Sequence, residues 1–307
     1  LVPKKGLAAQ REKELEEKLE AYRSSLSEEQ LDAMVEKTKA LEAYQEAGED
    51  PKALECIPML KRSDIKREAA KIINEELTVD DSLFLYHDVC TNGIGYVDLM
   101  FKTDSIAPEQ IPYLGLLKSV LGYVDTENYT YGELFNEINA NTGGINCGVE
   151  VFDRADSTQE FQAMFSVRGK ALYTKMDFLF KMIGEILNSS KLEDTKRLYE
   201  IVASVKSRAQ VNLTGAGHST AVLRAAAYSS PMAAFQDEMA GIGYYQFIEK
   251  LEKDFEQRKE ETVEELRKLM KEILRPENFM ISYTGERESL ETVQKLAGAV
   301  KAGLGTE

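Results

Sequence analysis

The feature that most constrains this chain is the order of its periodicities between residues 83 and 172. Two stretches have strand character, two have helix character, and two more strands follow. Leu83 and Leu85 alternate with Phe84 and Tyr86, supplying both faces of a strand. Thr91-Asn92-Gly93 is a turn sequence, and residues 94–102 are expected to return as the second strand of a hairpin. Residues 108–121 read as a helix with Pro108 at a permitted first-turn position. Residues 131–140 read as another, closed by Thr142-Gly143-Gly144. Ile145, Cys147, Val149 and Val151 then alternate with more polar neighbours. Phe161, Ala163, Phe165 and Val167 do the same beyond a polar loop at residues 153–160. Strand pairs separated by helices, without strict strand–helix alternation, predict an α+β fold with a mostly antiparallel sheet.

The remainder is mainly helical. Helices are expected at residues 176–187, 194–213 and 218–228, with a short stretch after Pro231 and a long amphipathic helix over 245–274. Apolar residues from Ile248 and Leu251 through Leu269 and Ile273 mark the last, and Pro276 ends it. Phe279, Ile281 and Tyr283 give a fifth strand, and residues 290–302 a final helix. The expectation is a sheet of about five or six strands with helices packed on it, in a domain over residues 77–307.

Residues 1–76 read as a separate helical hairpin and connector. Leu15, Leu19, Tyr22 and Leu26 form one helical stripe among Glu, Lys and Arg. Ser27-Glu28-Glu29-Gln30 is a capping box, and Leu31, Met34, Thr38 and Leu41 continue as a second stripe before Gly48 and Pro51. Two helices joined at a cap make an antiparallel hairpin whose apolar edge needs a docking surface. Residues 56–64 are a Pro-interrupted connector, and 65–76 show no clear period.

A formal net charge of −15 over 307 residues argues against nucleic acid or an anionic membrane as partner and suits a cationic peptide better. No apolar run approaches the ~18 residues of a membrane span, and no signal peptide is recognised. Residues 1–6 resemble the end of a strand, so the chain is expected to be a piece of something longer. Cys56, Cys90 and Cys147 are odd in number and lack C-x-x-C spacing, which predicts reduced, buried thiols and a cytoplasmic location.

The chain offers few residues for chemistry. His87 and His218 are its two histidines, and neither has a His or Cys at metal-ligand spacing. Gly215-Ala216-Gly217-His218-Ser219 lacks the Lys-Ser/Thr ending of a phosphate loop and follows a helix, so a helix-to-helix junction is expected there. Val167-Arg168-Gly169-Lys170 ends a strand with two cations, read either as a carboxylate or peptide C-terminus contact or as a solvated strand end. No catalytic set assembles, and no cofactor or metal ligand is assigned within the chain.

One ordered set of residues carries a family resemblance. It comprises the charged hairpin, Ile57-Pro58-Met59-Leu60 with Asp64-Ile65, His87-Asp88 with Thr91-Asn92-Gly93, and Thr142-Gly143-Gly144-Ile145. Val167-Arg168-Gly169-Lys170-Ala171, Gly215-Ala216-Gly217-His218 and Met239-Ala240-Gly241-Ile242-Gly243-Tyr244 complete it. The set resembles the pitrilysin/insulinase-type zinc peptidases, in the presequence-protease and falcilysin-like branch. The resemblance implies two bowl-shaped halves closing around a peptide, with this chain as the hairpin linker and third domain after the catalytic half. Aligned on Ile111-Pro112, Tyr113, Leu116 and Leu117 stand where the zinc-binding His pair and the Glu would be.

The implied role is a non-catalytic segment of a zinc-dependent oligopeptide-degrading endopeptidase, forming chamber wall and hinge. Zinc is then expected in the catalytic domain of the full-length protein, a metalloendopeptidase. The partners are the remaining domains of the same polypeptide and peptide substrates, with Arg168, Lys170 and His218 as candidate chamber or peptide contacts. The alternative is a free-standing helical-hairpin adaptor or scaffold.

Overall fold

A computed structural model describes residues 4–69 and 71–305. The chain divides into two compact units, Leu1–Ala70 and Lys71–Glu307.

In the first unit, α1 (Leu7–Ser25) and α2 (Glu28–Glu46) are joined by Leu26 and Ser27, and a single turn, α3 (Pro51–Leu54), follows. The capping box forms as the sequence predicts. The Gln30 amide donates to Ser27 Oγ at 3.2 Å, and the Ser27 amide donates to Gln30 Oε1 at 2.9 Å. Neither long helix buries a residue. Leu7, Leu26 and Leu31 are half-buried, and every other described residue of this unit is exposed, including Ile57, Met59, Leu60 and Ile65.

The second unit is α+β. Its strands are β1 (Glu75–Val79), β2 (Ser82–Asp88), β3 (Ile94–Lys102), β4 (Ile145–Arg154), β5 (Ser157–Leu172) and β6 (Phe279–Gly285). They lie in the order β1-β2-β6-β3-β5-β4, antiparallel throughout except for β2 beside β6. Its helices are α4 (Ile111–Val120), α5 (Tyr131–Asn141), α6 (Met176–Ser189), α7 (Thr195–Gly215), α8 (Gly217–Ala226), α9 (Pro231–Ala240), α10 (Ile242–Lys253), α11 (Phe255–Ile273) and α12 (Leu290–Ala302). Among the described residues, no helix is long and apolar enough to cross a membrane.

Several expectations need correction. Residues 83–102 do not form a paired hairpin, because β6 lies between β2 and β3. The turn itself exists, with Asn92 at φ 54° and Gly93 at φ 81°. Yet the amides of Thr91 and Asn92 each donate to Glu286 Oε1 at 3.0 Å, so the turn caps the end of β6. The stretch with no clear period contains β1, which the limit expected at residue 76 cuts. β1 pairs with β2 across Asp80 and Asp81, whose φ angles of 47° and 64° are those of a two-residue hairpin loop. Residues 153–160 largely extend the β4–β5 ladder instead of forming a long loop, and they are polar because that hairpin end is exposed. The helix expected over 245–274 starts at Ile242 and breaks at Asp254, with Phe255 buried against Tyr199 beyond the break. Cys56 lies in the coreless first unit and Cys90 just past the end of β2, so both are exposed. Cys147 is half-buried, and burial pushes its thiol up to about 12.

The core lies on one face of the sheet. Phe84, Tyr86, Val97, Leu99, Phe165, Val167, Ile281 and Tyr283 point into it, with helices including α4, α6 and α12 supplying the other side. Tyr113, Leu116 and Leu117 of α4 are 6%, 0% and 1% exposed, so this helix serves packing at the positions where metal ligands would otherwise stand. Burying a leucine of this kind contributes about 1.5–3 kcal/mol.

Candidate functional site

Strand alternation puts Tyr96, Asp98, Arg168, Lys170, Ser282 and Thr284 on the face opposite the core. Register aligns Leu85, Ser282, Asp98, Arg168 and Asn146 across five strands. A second row aligns His87, Thr284, Tyr96 and Lys170. With Gly143 and Gly144 these residues line an open concavity of about 430 Å³.

Arg168 is the electrostatic centre of this face. Its Nε donates to Asp98 Oδ2 at 2.8 Å, and its Nη1 lies 3.1 Å from Glu150 Oε1. Burial raises the Asp98 carboxyl above the usual carboxylate range, against the pull of Arg168. Asp98 Oδ1 is buried and without a hydrogen-bond partner. Arg168 is therefore already neutralised by carboxylates.

Lys170 differs. Among the described residues its ammonium has no hydrogen-bond or ion-pair partner. Its stem crosses Gly143 so closely that a Cβ there would lie 2.6 Å from Lys170 Cγ. The Gly143 amide donates to the Lys170 carbonyl at 2.7 Å, and Gly144 takes φ +105° to turn the chain into β4. The glycine pair thus lets α5 end close against β5 and holds the lysine stem in place.

The structure brings Arg168 and Lys170 together but leaves out His218, which stands exposed on α8 and does not line the concavity. The two cations lie within β5, which runs on to Leu172, and not at a strand end as expected. His87 has a structural partner at each ring nitrogen: the Ile73 carbonyl at 2.7 Å and Ser282 Oγ at 3.2 Å. The Gly215–Gly217 run is the expected junction between α7 and α8. Asp98 was missed by the sequence reading. Its only local signal is an acidic residue in the run Tyr96-Val97-Asp98-Leu99-Met100, which gains meaning once β3 is set beside β5.

The run from Met239 to Tyr244 also has a physical reason. Asp237, 1% exposed, accepts hydrogen bonds from the Ile242 and Gly243 amides at 3.1 and 3.2 Å. It also accepts from Arg224 Nη1 at 2.6 Å, so the motif is a charged N-terminal cap for α10. Zinc does not fit this chain: among the described residues, no group of three or more His, Cys, Asp or Glu side chains is arranged to hold a metal ion.

Residues 1–251 match the peptidase-associated family of M16, subfamily C. Protein HypA of Clostridium perfringens is 35% identical over 96% of this chain and 30% of its own length. Presequence protease 1, chloroplastic/mitochondrial, of Arabidopsis thaliana is 28% identical over 92% of this chain and 26% of its own length. The chain therefore spans less than a third of these relatives. A peptidase M16 inactive domain from Pseudomonas fluorescens superposes with a TM-score of 0.51 at 14% identity, over 76% of this chain and 51% of that one. At that identity the likeness shows the fold alone.

Proposed function

The chain belongs to the peptidase-associated family of M16, subfamily C, as a non-catalytic segment of a pitrilysin-type peptidase, and from that premise we propose a chamber role. Its open sheet face forms part of the wall of a closed peptide chamber, and its helical hairpin is the hinge between the two halves. The whole protein is then a zinc-dependent oligopeptide-degrading endopeptidase acting on peptides, with its zinc ligands in other parts of the polypeptide. The two exposed thiols support a reducing, cytoplasmic location.

The observation that carries this reading is Lys170, a cation without a counter-ion in a concave sheet face. Arg168, held by Asp98 and Glu150, shapes the floor, while Lys170 is free to receive a carboxylate of an enclosed peptide. Enclosure orients the substrate and excludes competitors, so a wall without catalytic groups still affects rate. The net charge of −15 also draws basic peptides inward, an effect that weakens as salt screens it.

The test uses the full-length peptidase carrying Lys170→Glu and two versions of one peptide, with a free C-terminal carboxylate or an amide. The expected result is KM raised roughly tenfold for the acid, little change for the amide, and an unchanged kcat. An unchanged KM for the acid overturns the assignment of Lys170.

A further inference from the structure

A second concavity, of about 210 Å³, lies on the helical side of the same unit, between the C-terminal end of α4 and one face of α7. Ile201, Ser204 and Arg208 follow the i, i+3, i+7 spacing that stacks them on one face of α7. Ser119 and Tyr123 face them from α4 and its C-terminal end. We propose that this is a binding site for a small phosphate-type oxyanion, held by Arg208, the hydroxyls of Ser119 and Ser204, and the phenol of Tyr244.

The charges of the site are unevenly satisfied. Arg197 is fully engaged: its Nη1 meets Glu200 at 2.9 Å, its Nε donates to the Tyr123 carbonyl at 2.9 Å, and its guanidinium lies 3.9 Å from the Tyr131 ring centroid. Glu200 is spent on Arg197. Arg208 has no hydrogen-bond or ion-pair partner among the described residues, so one positive charge remains in the cavity.

Tyr244 supplies the independent observation. Its ring lies over Gly115 so closely that a Cβ there would meet Tyr244 Cε2 at 2.7 Å. The residue is 5% exposed, and its hydroxyl is buried without a hydrogen-bond partner. The polar groups acting on that hydroxyl are Ser119, one turn beyond Gly115, and Arg208, and both line the cavity. Burial pushes the phenol up, so it stays protonated and is a donor lacking an acceptor. A buried donor left unmade is costly, and a ligand oxygen relieves that cost.

Size and donor count select the ligand class. The volume is below the ~300 Å³ at which drug-sized pockets begin, so it suits one compact group. A guanidinium fork with three hydroxyls offers more donors than the two oxygens of a carboxylate use, and a phosphate has oxygens to match. Free phosphate and the phosphate of a monoester share this chemistry.

The experiment titrates the 307-residue chain with inorganic phosphate, adenosine monophosphate or acetate at constant ionic strength. Binding is followed by calorimetry and by the melting midpoint. Phosphate is expected to bind saturably and acetate not at all. Tighter binding of the nucleotide identifies an ester as the source, and equal binding identifies the free ion. Arg208→Gln is expected to weaken phosphate roughly tenfold and Tyr244→Phe roughly threefold. Without phosphate, Tyr244→Phe is expected to melt no lower than the unmodified chain, since it loses no hydrogen bond. A linear, unsaturable rise in midpoint is general exclusion of a kosmotropic salt and overturns the proposal. So does saturable binding that Arg208→Gln leaves unchanged.

Discussion

The two units of this chain carry similar apolar periodicity and use it in opposite ways. In α4 the period becomes core, and Leu114 and Leu116 are both 0% exposed. In α1 and α2 an equally regular stripe stays in solvent, with Leu19 at 57% and Leu41 at 54%. Hydrogen bonding divides the same way. Every side-chain hydrogen bond among described residues 4–69 joins partners six or fewer positions apart, as from Ser27 to Gln30. In the second unit Glu286 reaches back 195 residues to Thr91. Periodicity therefore marks a surface that needs cover, and long-range polar contacts mark where this chain provides it. The first unit holds secondary structure without tertiary structure of its own.

The strongest test of that contrast is truncation at matched positions. Leu116→Ala removes a fully buried side chain, and the expected loss is about 2–5 kcal/mol, read as a lower midpoint in thermal or urea unfolding. Leu41→Ala is expected to change the same transition by less than about 0.5 kcal/mol. Equal losses at the two positions break the comparison.

A smaller effect follows from Glu286, which ties the end of β6 to the turn after β2. Burial pushes its carboxyl up, but hydrogen bonds from the Thr91 hydroxyl and amide outweigh this and hold it at about 2. Unfolded, the group takes its proton near 4.5, so between these values the unfolded chain binds more protons than the folded one. Its stabilising contribution is present above pH 4.5 and disappears as pH falls toward 2. Glu286→Gln is expected to flatten the acid limb of stability against pH in the second unit. An identical slope in both proteins removes Glu286 from the account.

Much of the chain was legible because its signals are local. The capping box at Ser27, the alternation along β4 and β5, and the helix-to-helix junction at Ala216 each involve residues close in sequence. Strand order was not legible. The Asn92-Gly93 turn is real, yet the partner inserted beside β2 begins at Phe279, and nothing near residue 92 announces it. The site followed the same rule. Arg168 and Lys170 were visible as two cations on one strand face. The ion pair that neutralises Arg168 and leaves Lys170 free depends on the β3–β5 register. Exposure of the hairpin was half legible: the need for a docking surface could be read, but not how little these residues cover one another.

The smallest expected effect bears most directly on the first unit. Leu19→Asp places a charge in the middle of the α1 stripe, where a buried site would lose several kcal/mol through an unpaired buried charge. At 57% exposure the new carboxylate stays hydrated, so the cost is confined to a slightly poorer helix former, about 0.5 kcal/mol or less. Because isolated helices of this length are marginal, that cost should appear as a modest loss of helical circular dichroism and not as a shift of the main unfolding transition. The two readouts separate two physical situations. A lost helical signal with a fixed midpoint means that α1 is held by its own backbone and capping bonds, ready to gain cover from another part of a longer polypeptide. A midpoint lowered by several degrees means that Leu19 already has cover in solution, and the contrast between the two units would then be one of degree.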